Sequence, residues 1–364
     1  MSLRRVLAAD AIAGLAGFDA IIDARSESEF AEDHLPGAVN WPVLNDAERA
    51  AIGTEYKQIS PFDARKRGAA LAALNIAHHL QAHLSPLPRT WRPLVYCWRG
   101  GQRSGALALV LDQIGFPVQV LQGGYREFRR AVLADLVPLP STLRFCVLCG
   151  RTGSAKSRLL QSLTQLGAQV LDLEALACHR GSVLGLVPGE QQPSQKAFET
   201  QLWQALRRMD PSRVVYAESE SRTIGRLRVP ETLLERLRAS DCVQLQMPVP
   251  ARVEFLMHDY AHFVHDIESF CARLQALCEV RGASTVARWQ AAARSGQVAG
   301  VVQELLTLHY DPIYLKSMQR NFSRFGQATV VQLADAAPAS LQAVAHQLRA
   351  AASDVADARQ PVSG

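Results

Sequence analysis

Two short stretches of this chain hold residue types whose spacing suits chemistry on anions. The first is Cys97-Trp98-Arg99-Gly100-Gly101-Gln102-Arg103-Ser104, set between the apolar Leu94-Val95-Tyr96 and an apolar helix-like run. A thiol therefore sits where a strand turns into a helix. Two glycines let the loop curl tightly, so its amides and those of the helix N-terminus converge on whatever the sulfur carries. The same field, with Arg99 and Arg103 adding positive charge, favours a charged and reactive sulfur. The second stretch, Gly150-Arg151-Thr152-Gly153-Ser154-Ala155-Lys156-Ser157, joins a strand-like Leu143–Leu148 to a helical Arg158–Leu163. There the turn exposes amides, Lys156 meets terminal phosphates and the Ser157 hydroxyl can reach a magnesium ion. Ala155 stands where such loops usually carry glycine, and its Cβ crowds the turn if the backbone takes a positive φ. That weakens the expectation of ordinary nucleotide hydrolysis but not of phosphate binding.

Further candidates follow the second loop at strand ends. Val170-Leu171-Asp172-Leu173-Glu174 reads as a strand ending in acids, then a short helix and the polar turn His179-Arg180-Gly181-Ser182. Val214–Ala217 runs into Glu218, Glu220 and Arg222, where a fold of this kind places a metal-organising carboxylate. The expected supporting residues are thus Asp172, His179, Arg180, Ser182, Glu218, Glu220 and Arg222. Cys146 and Cys149 have redox or zinc spacing, but they flank Val147-Leu148 in an apolar strand and no second pair completes a site. They read as core residues, so no protein-built metal site is assigned, while magnesium stays open as a cofactor at the second loop.

The elements that must position these residues divide the chain. At 364 residues it is too long for one small domain, and with 48% hydrophobic residues it can build packed cores. Pro138 and Pro140 separate a basic helix (Glu127–Leu133) from the next strand, which predicts an N-terminal α/β domain over 1–136 and a phosphate-binding α/β domain over 142–332. The second turns helical from Pro250 to Phe325, where Lys316, Arg320 and Arg324 fall at four-residue spacing on one expected helical face. An alanine-rich helix or tail, 333–364, follows. A net charge of +5 allows a polyanionic partner without demanding one. Seven unevenly spaced cysteines do not form a disulfide framework, no apolar run is long enough to cross a bilayer and no leader is apparent, so a soluble cytoplasmic protein is expected.

Asp23-Ala24-Arg25, Glu29-Phe30, His34-Leu35-Pro36-Gly37-Ala38, the Cys97 loop and Gly123-Gly124-Tyr125 together resemble the rhodanese domain over about residues 1–135. The resemblance places the nucleophile on Cys97 and the loop arginine on Arg103. Five residues lie between them, one more than in common sulfur-transferring rhodaneses, a spacing similar to that of phosphatases of the same fold and suited to a larger anion. Taken with the Gly150 loop, His179-Arg180-Gly181-Ser182, Glu220-Ser221-Arg222-Thr223-Ile224-Gly225 and His309-Tyr310-Asp311-Pro312, the order of motifs resembles the bacterial tRNA 2-selenouridine synthases across almost the whole chain.

That resemblance implies a rhodanese-like domain fused to a P-loop NTPase-like domain with a helical C-terminal part. It also implies a transferase that acts on tRNA at the wobble 2-thiouridine and replaces sulfur by selenium. Selenophosphate is the implied selenium donor, and geranyl diphosphate first alkylates the sulfur to a better leaving group. On this basis Gly150, Gly153, Ser154, Lys156 and Ser157 bind the diphosphate. Cys97 and Arg103, with Trp98, Arg99, Gly100, Gly101, Gln102 and Ser104, handle the selenium anion. The alternative from a different class is a rhodanese-type sulfurtransferase or phosphatase fused to a small-molecule kinase, without RNA.

Overall fold

The computed structural model describes residues 3–179, 191–259 and 266–357, with side chains through Ala351. Two compact units are present: Met1–Leu136 with Pro193–Gln204, and Val137–Gln192 with Ala205–Gly364.

The first unit is built on a five-stranded parallel sheet of β1 (Arg4–Val6), β2 (Ala20–Asp23), β3 (Ala38–Asn40), β4 (Pro93–Tyr96) and β5 (Gln119–Leu121), in the order β1-β5-β4-β2-β3. All four residues of β4 are buried, as expected for a central parallel strand covered on both faces. Ile22, Val95, Leu107, Leu111 and Val120 form its core with Trp41, Trp91 and Phe116. Strand order reverses between β4 and its neighbours, so the chain leaving β4 enters the crevice at the carboxyl edge where ligands collect in open α/β sheets. Cys97 is the first residue past that edge.

The second unit repeats the logic with β6 (Arg144–Gly150), β7 (Gln169–Leu171), β8 (Val214–Glu218), β11 (Asp241–Gln246) and β12 (Thr329–Gln332), all parallel, in the order β12-β11-β6-β8-β7. A two-stranded antiparallel ribbon, β9 (Thr223–Ile224) with β10 (Leu227–Arg228), follows β8. Here β6 is central and ends at Gly150, so the turn Gly150–Ser157 occupies the equivalent edge. The alanine-rich C-terminal segment forms the helix Pro338–Asp357, whose Leu341, Val344, Ala345 and Leu348 pack with Leu159, Leu160 and Leu163 of the helix Lys156–Gln165. Tyr216 secures it by donating to the Leu348 carbonyl at 2.8 Å.

The helices Ile267–Gln275, Ala283–Arg294 and Val298–Glu304 bury their own cluster around Phe270, Leu274, Trp289 and Val301. A π-helical turn, Leu305–Tyr310, leads into the helix Asp311–Asn321. The fold is therefore α/β throughout with a helical C-terminal part, as expected. Among the described residues no helix is long and apolar enough to cross a membrane.

Candidate functional sites

Cys97 is 4% exposed and its hydrocarbon side joins the first core, yet the sulfur faces donors: the Gly101 amide lies 3.3 Å away and the Ser104 hydroxyl 3.1 Å. The helix Gln102–Ile114 begins immediately after the curl, which adds its N-terminal field. Two glycines make the curl attainable. Gly100 takes φ +64°, and a Cβ there would lie 2.5 Å from the Leu121 carbonyl; Gly124 takes the same φ, and its Cβ would fall 2.2 Å from the Cys97 carbonyl. The Gly123–Tyr125 segment clasps the loop through Tyr125 N–H to the Cys97 carbonyl at 2.8 Å and Arg126 N–H to the Trp98 carbonyl at 3.1 Å.

Arg103 is turned to Glu29, with nitrogen–oxygen distances of 2.6 and 3.4 Å, and Glu29 in turn caps the helix Glu27–Glu32 together with Ser26. Its carboxyl is held below the usual range: the Arg103 hydrogen bond and charge, joined by Arg49, outweigh burial, which acts in the opposite direction. Arg99 and Gln102 are exposed, and Trp98 is half-buried, stacked on Tyr125 at a 5.5 Å centroid distance. Below the loop, Asp23 and Arg25 form a fully buried pair with Arg25 Nη2 2.6 Å from Asp23 Oδ2, and the guanidinium lies 4.0 Å from the Tyr125 ring centroid. This pair is a scaffold for the crevice.

In the second unit the loop after β6 shows backbone strain of the kind its sequence suggests. Ala155 adopts φ +56°, ψ +31°, a left-handed conformation that costs an L-residue about 1–2 kcal/mol. Gly153 takes φ +81° against Leu256, and a Cβ on Gly150 would lie 2.2 Å from Ser154 Oγ. Ser154 Oγ is buried and has no hydrogen-bond partner among the described residues. Lys156 Nζ rests on the Gly150 carbonyl at 2.9 Å. Ser157 Oγ donates within reach of two acids, Glu218 Oε1 at 2.7 Å and Glu174 Oε2 at 3.1 Å.

Glu174, Glu218 and Glu220 bring carboxylate oxygens within 4.8 Å of one another. Burial and then mutual repulsion push these groups up, Glu174 to about 7 and Glu218 well above the carboxylate range. Glu220 is also raised, chiefly by burial. Glu218 is fully buried and its Oε2 has no partner among the described residues. Asp172 has a different role, capping the short helix Leu173–Leu176 by accepting from Ala175 N–H at 2.8 Å.

His179 borders the same cavity, buried, and burial followed by the Arg273 charge holds it below the usual imidazole range. Arg222 is exposed and pairs with Glu231 at 3.2 Å. Arg180 and Ser182 lie outside the described residues.

These groups line a cavity of about 890 Å³. Its lining combines polar groups, namely the loop, Lys156, Ser157 and the acids, with the apolar side chains Phe255, Leu256, Ile313, Met318 and Phe322.

Several residues that shape the site carry no motif of their own. Arg252, on the helix Val249–Asp259, is buried, clamps Asp311 at 2.9 and 2.6 Å and donates from Nε to the Thr152 carbonyl at 2.8 Å. The Gly150 amide donates to Tyr314 Oη at 2.6 Å. Gln192 Nε2 links the Ala177 and Ile224 carbonyls at 3.1 and 3.0 Å. The available signals were an arginine inside the apolar run Val249–Leu256 and the His309-Tyr310-Asp311-Pro312 motif, whose role its residue types do not disclose. Lys316 and Arg320 are exposed on the helix Asp311–Asn321. Arg324 does not share their face: buried Phe322 takes an extended backbone that ends the helix, and Arg324 pairs with Asp241 at 2.5 Å. Cys149 is wholly buried in β6, and its hydrogen bond with Cys242, then burial, raises its thiol, consistent with a core role.

Comparison with known proteins agrees with both halves. A rhodanese-like domain family matches residues 7–131, and the tRNA 2-selenouridine synthase AAA domain family matches residues 143–279. The tRNA 2-selenouridine synthase of Nitrosomonas europaea is 36% identical over 246 residues, covering 66% of this chain and 63% of that protein. The match thus spans under two thirds of that relative's length. The enzymes of the same name from Nitrosomonas eutropha and Bdellovibrio bacteriovorus are each 30% identical, over 345 and 351 residues, covering 82% of this chain and 88% and 89% of theirs. With the Cys97 crevice, the Gly150 loop and relatives matched over 88% and 89% of their length, the chain belongs to the tRNA 2-selenouridine synthase family.

Proposed function

We propose that this protein is a tRNA-modifying transferase that replaces sulfur by selenium at the wobble 2-thiouridine, through an S-geranyl intermediate. In the first step the thiouridine sulfur attacks C1 of geranyl diphosphate, a C–S bond forms, the C–O bond breaks and diphosphate leaves. In the second, the selenium of selenophosphate attacks C2 of the base, a C–Se bond forms and the C–S bond breaks, releasing the geranyl thiolate, a better leaving group than unalkylated sulfide; water then cleaves the P–Se bond and phosphate leaves.

The observation that carries this proposal is the mixed lining of one cavity. A lysine-tipped nest suited to a diphosphate shares one 890 Å³ space with Phe255, Leu256, Ile313, Met318 and Phe322, suited to a ten-carbon hydrocarbon. Lys156 leaves the Gly150 carbonyl for the departing diphosphate, and the loop amides with Gly153 and Ser154 complete its cradle. The orphaned, fully buried Glu218 Oε2 and the raised carboxyls of three crowded acids fit a divalent cation, which Glu174, Glu218, Glu220 and Ser157 would hold. Such an ion supplies neutralisation of diphosphate charge.

The Cys97 crevice serves selenium delivery: the Gly101 amide, the Ser104 hydroxyl and the helix N-terminus favour an anion at the sulfur. The test is to incubate purified protein with 2-thiouridine tRNA and geranyl diphosphate, with and without selenophosphate, and analyse digested nucleosides. A geranylated nucleoside in the first case and a selenium-containing one in the second are expected; absence of both sinks the proposal.

A further inference from the structure

The P-loop cavity contains a cation that the diphosphate chemistry leaves unused. Arg238, the last residue of the helix Glu231–Arg238, lines the cavity; its Nε is buried without a partner, and among the described residues its guanidinium makes no ion pair. An arginine N–H removed from water without an acceptor is costly unless a ligand supplies one. Its main chain is fixed, because the Arg238 carbonyl accepts from Ser323 N–H at 3.0 Å. The helix Asp311–Asn321 faces the same cavity with Ser317 and Asn321, four residues apart. One position earlier on each turn stand Lys316 and Arg320, exposed and likewise without an acidic partner among the described residues. Residues at i and i+4 share a stripe, so these two cations border the wall on which Ser317 and Asn321 lie. A half-buried arginine with a buried, unpartnered Nε on the cavity lining and two exposed cations on the helix that borders it are the elements that a groove tracking a polyanionic strand combines.

We propose that Arg238 binds a backbone phosphate of the RNA next to the acceptor base, with Lys316 and Arg320 continuing the track outward. This rests on the RNA-alkylating function proposed above and assigns Arg238 to RNA rather than to the diphosphate. An arginine fork also matches the planar edge of a base, and the test separates these roles.

Affinity for an anticodon stem-loop carrying 2-thiouridine is measured across a salt series for the wild type, Arg238→Met and Arg238→Lys, with inorganic pyrophosphate affinity measured alongside. For Arg238→Met the expected result is several-fold weaker RNA binding and a log–log salt slope shallower by about 0.7, the value of one single-strand phosphate contact. Pyrophosphate affinity stays at the wild-type value, which also reports an intact cavity. Arg238→Lys keeps the slope, since charge alone serves a phosphate. An unchanged slope in Arg238→Met, loss of RNA binding in Arg238→Lys with the slope altered, or loss of pyrophosphate binding in either variant overturns the assignment. A wild-type protein that binds pyrophosphate but no RNA overturns the proposed function itself, and the Arg238 assignment with it.

Discussion

Arg252 and Asp311 form a bidentate ion pair whose arginine also holds the Thr152 carbonyl of the Gly150–Ser157 loop at 2.8 Å. The Arg252 side chain is 1% exposed and that of Asp311 11%, so neither charge is solvated in compensation for a lost partner. The loop is thus fastened by a residue 100 positions from Thr152, itself held by a partner 59 positions further on.

Removing one member leaves a buried charge uncompensated, which typically costs about 3–5 kcal/mol. Asp311→Ala is expected to lower the urea midpoint accordingly and to abolish pyrophosphate binding. The Arg252→Met, Asp311→Leu double variant is expected to be less destabilised than the sum of the single changes. Additive losses in the double-mutant cycle would show that the pair does not act as a unit.

Ala155 gives a second measurement. A β-branched side chain tolerates the left-handed region poorly, so Ala155→Val is expected to destabilise by roughly 2 kcal/mol or more. Ala155→Gly relieves about 1–2 kcal/mol of backbone strain but loses a buried methyl and adds backbone freedom, and the net change is expected to lie within about 1 kcal/mol. Equal effects of Gly and Val would contradict the positive φ.

At the first site, Gly124→Ala is expected to break the clasp on Cys97. A Cβ 2.2 Å from the Cys97 carbonyl cannot be accommodated without moving the backbone. The predicted outcome is loss of selenium incorporation with a drop in stability on the order of 2–3 kcal/mol, read by nucleoside analysis and thermal melting. Retention of both properties would contradict the packing of Gly124 on the loop.

The acid cluster predicts a pH dependence. Burial and the Glu220 charge raise Glu174 from the ordinary glutamate value, 4.5, to about 7, so between these pH values the folded state holds more protons than the unfolded one. Stability contributed there is present at low pH and falls as pH rises through the window toward 7. Magnesium should therefore raise the melting temperature more at pH 8, where it does not compete with protons, than at pH 5. Glu218→Gln should shrink that difference. A magnesium effect that is flat in pH and indifferent to Glu218→Gln would contradict the cluster's role.

Both anion loops were readable before folding because each is continuous in the chain: an apolar strand, a glycine turn and a helix start place the donors locally. Ala155 is the clearest case, since the missing glycine announced the strain that the φ of +56° displays. What could not be read depends on distant partners. Arg103 looked like a free loop cation, but Glu29, 74 residues earlier, holds it. Tyr314 meets Gly150 across 164 residues. The Lys316, Arg320, Arg324 spacing failed at its last member because packing of Phe322 ends the helix, an event periodicity does not encode.

The central claim is that two separate anion sites act in turn on one base. It is tested most directly by incubating folded Cys97→Ala with 2-thiouridine tRNA, geranyl diphosphate and selenophosphate and quantifying the nucleosides. Accumulation of S-geranyl-2-thiouridine with no selenium-containing product is the predicted result. Loss of geranylation together with selenation would contradict it.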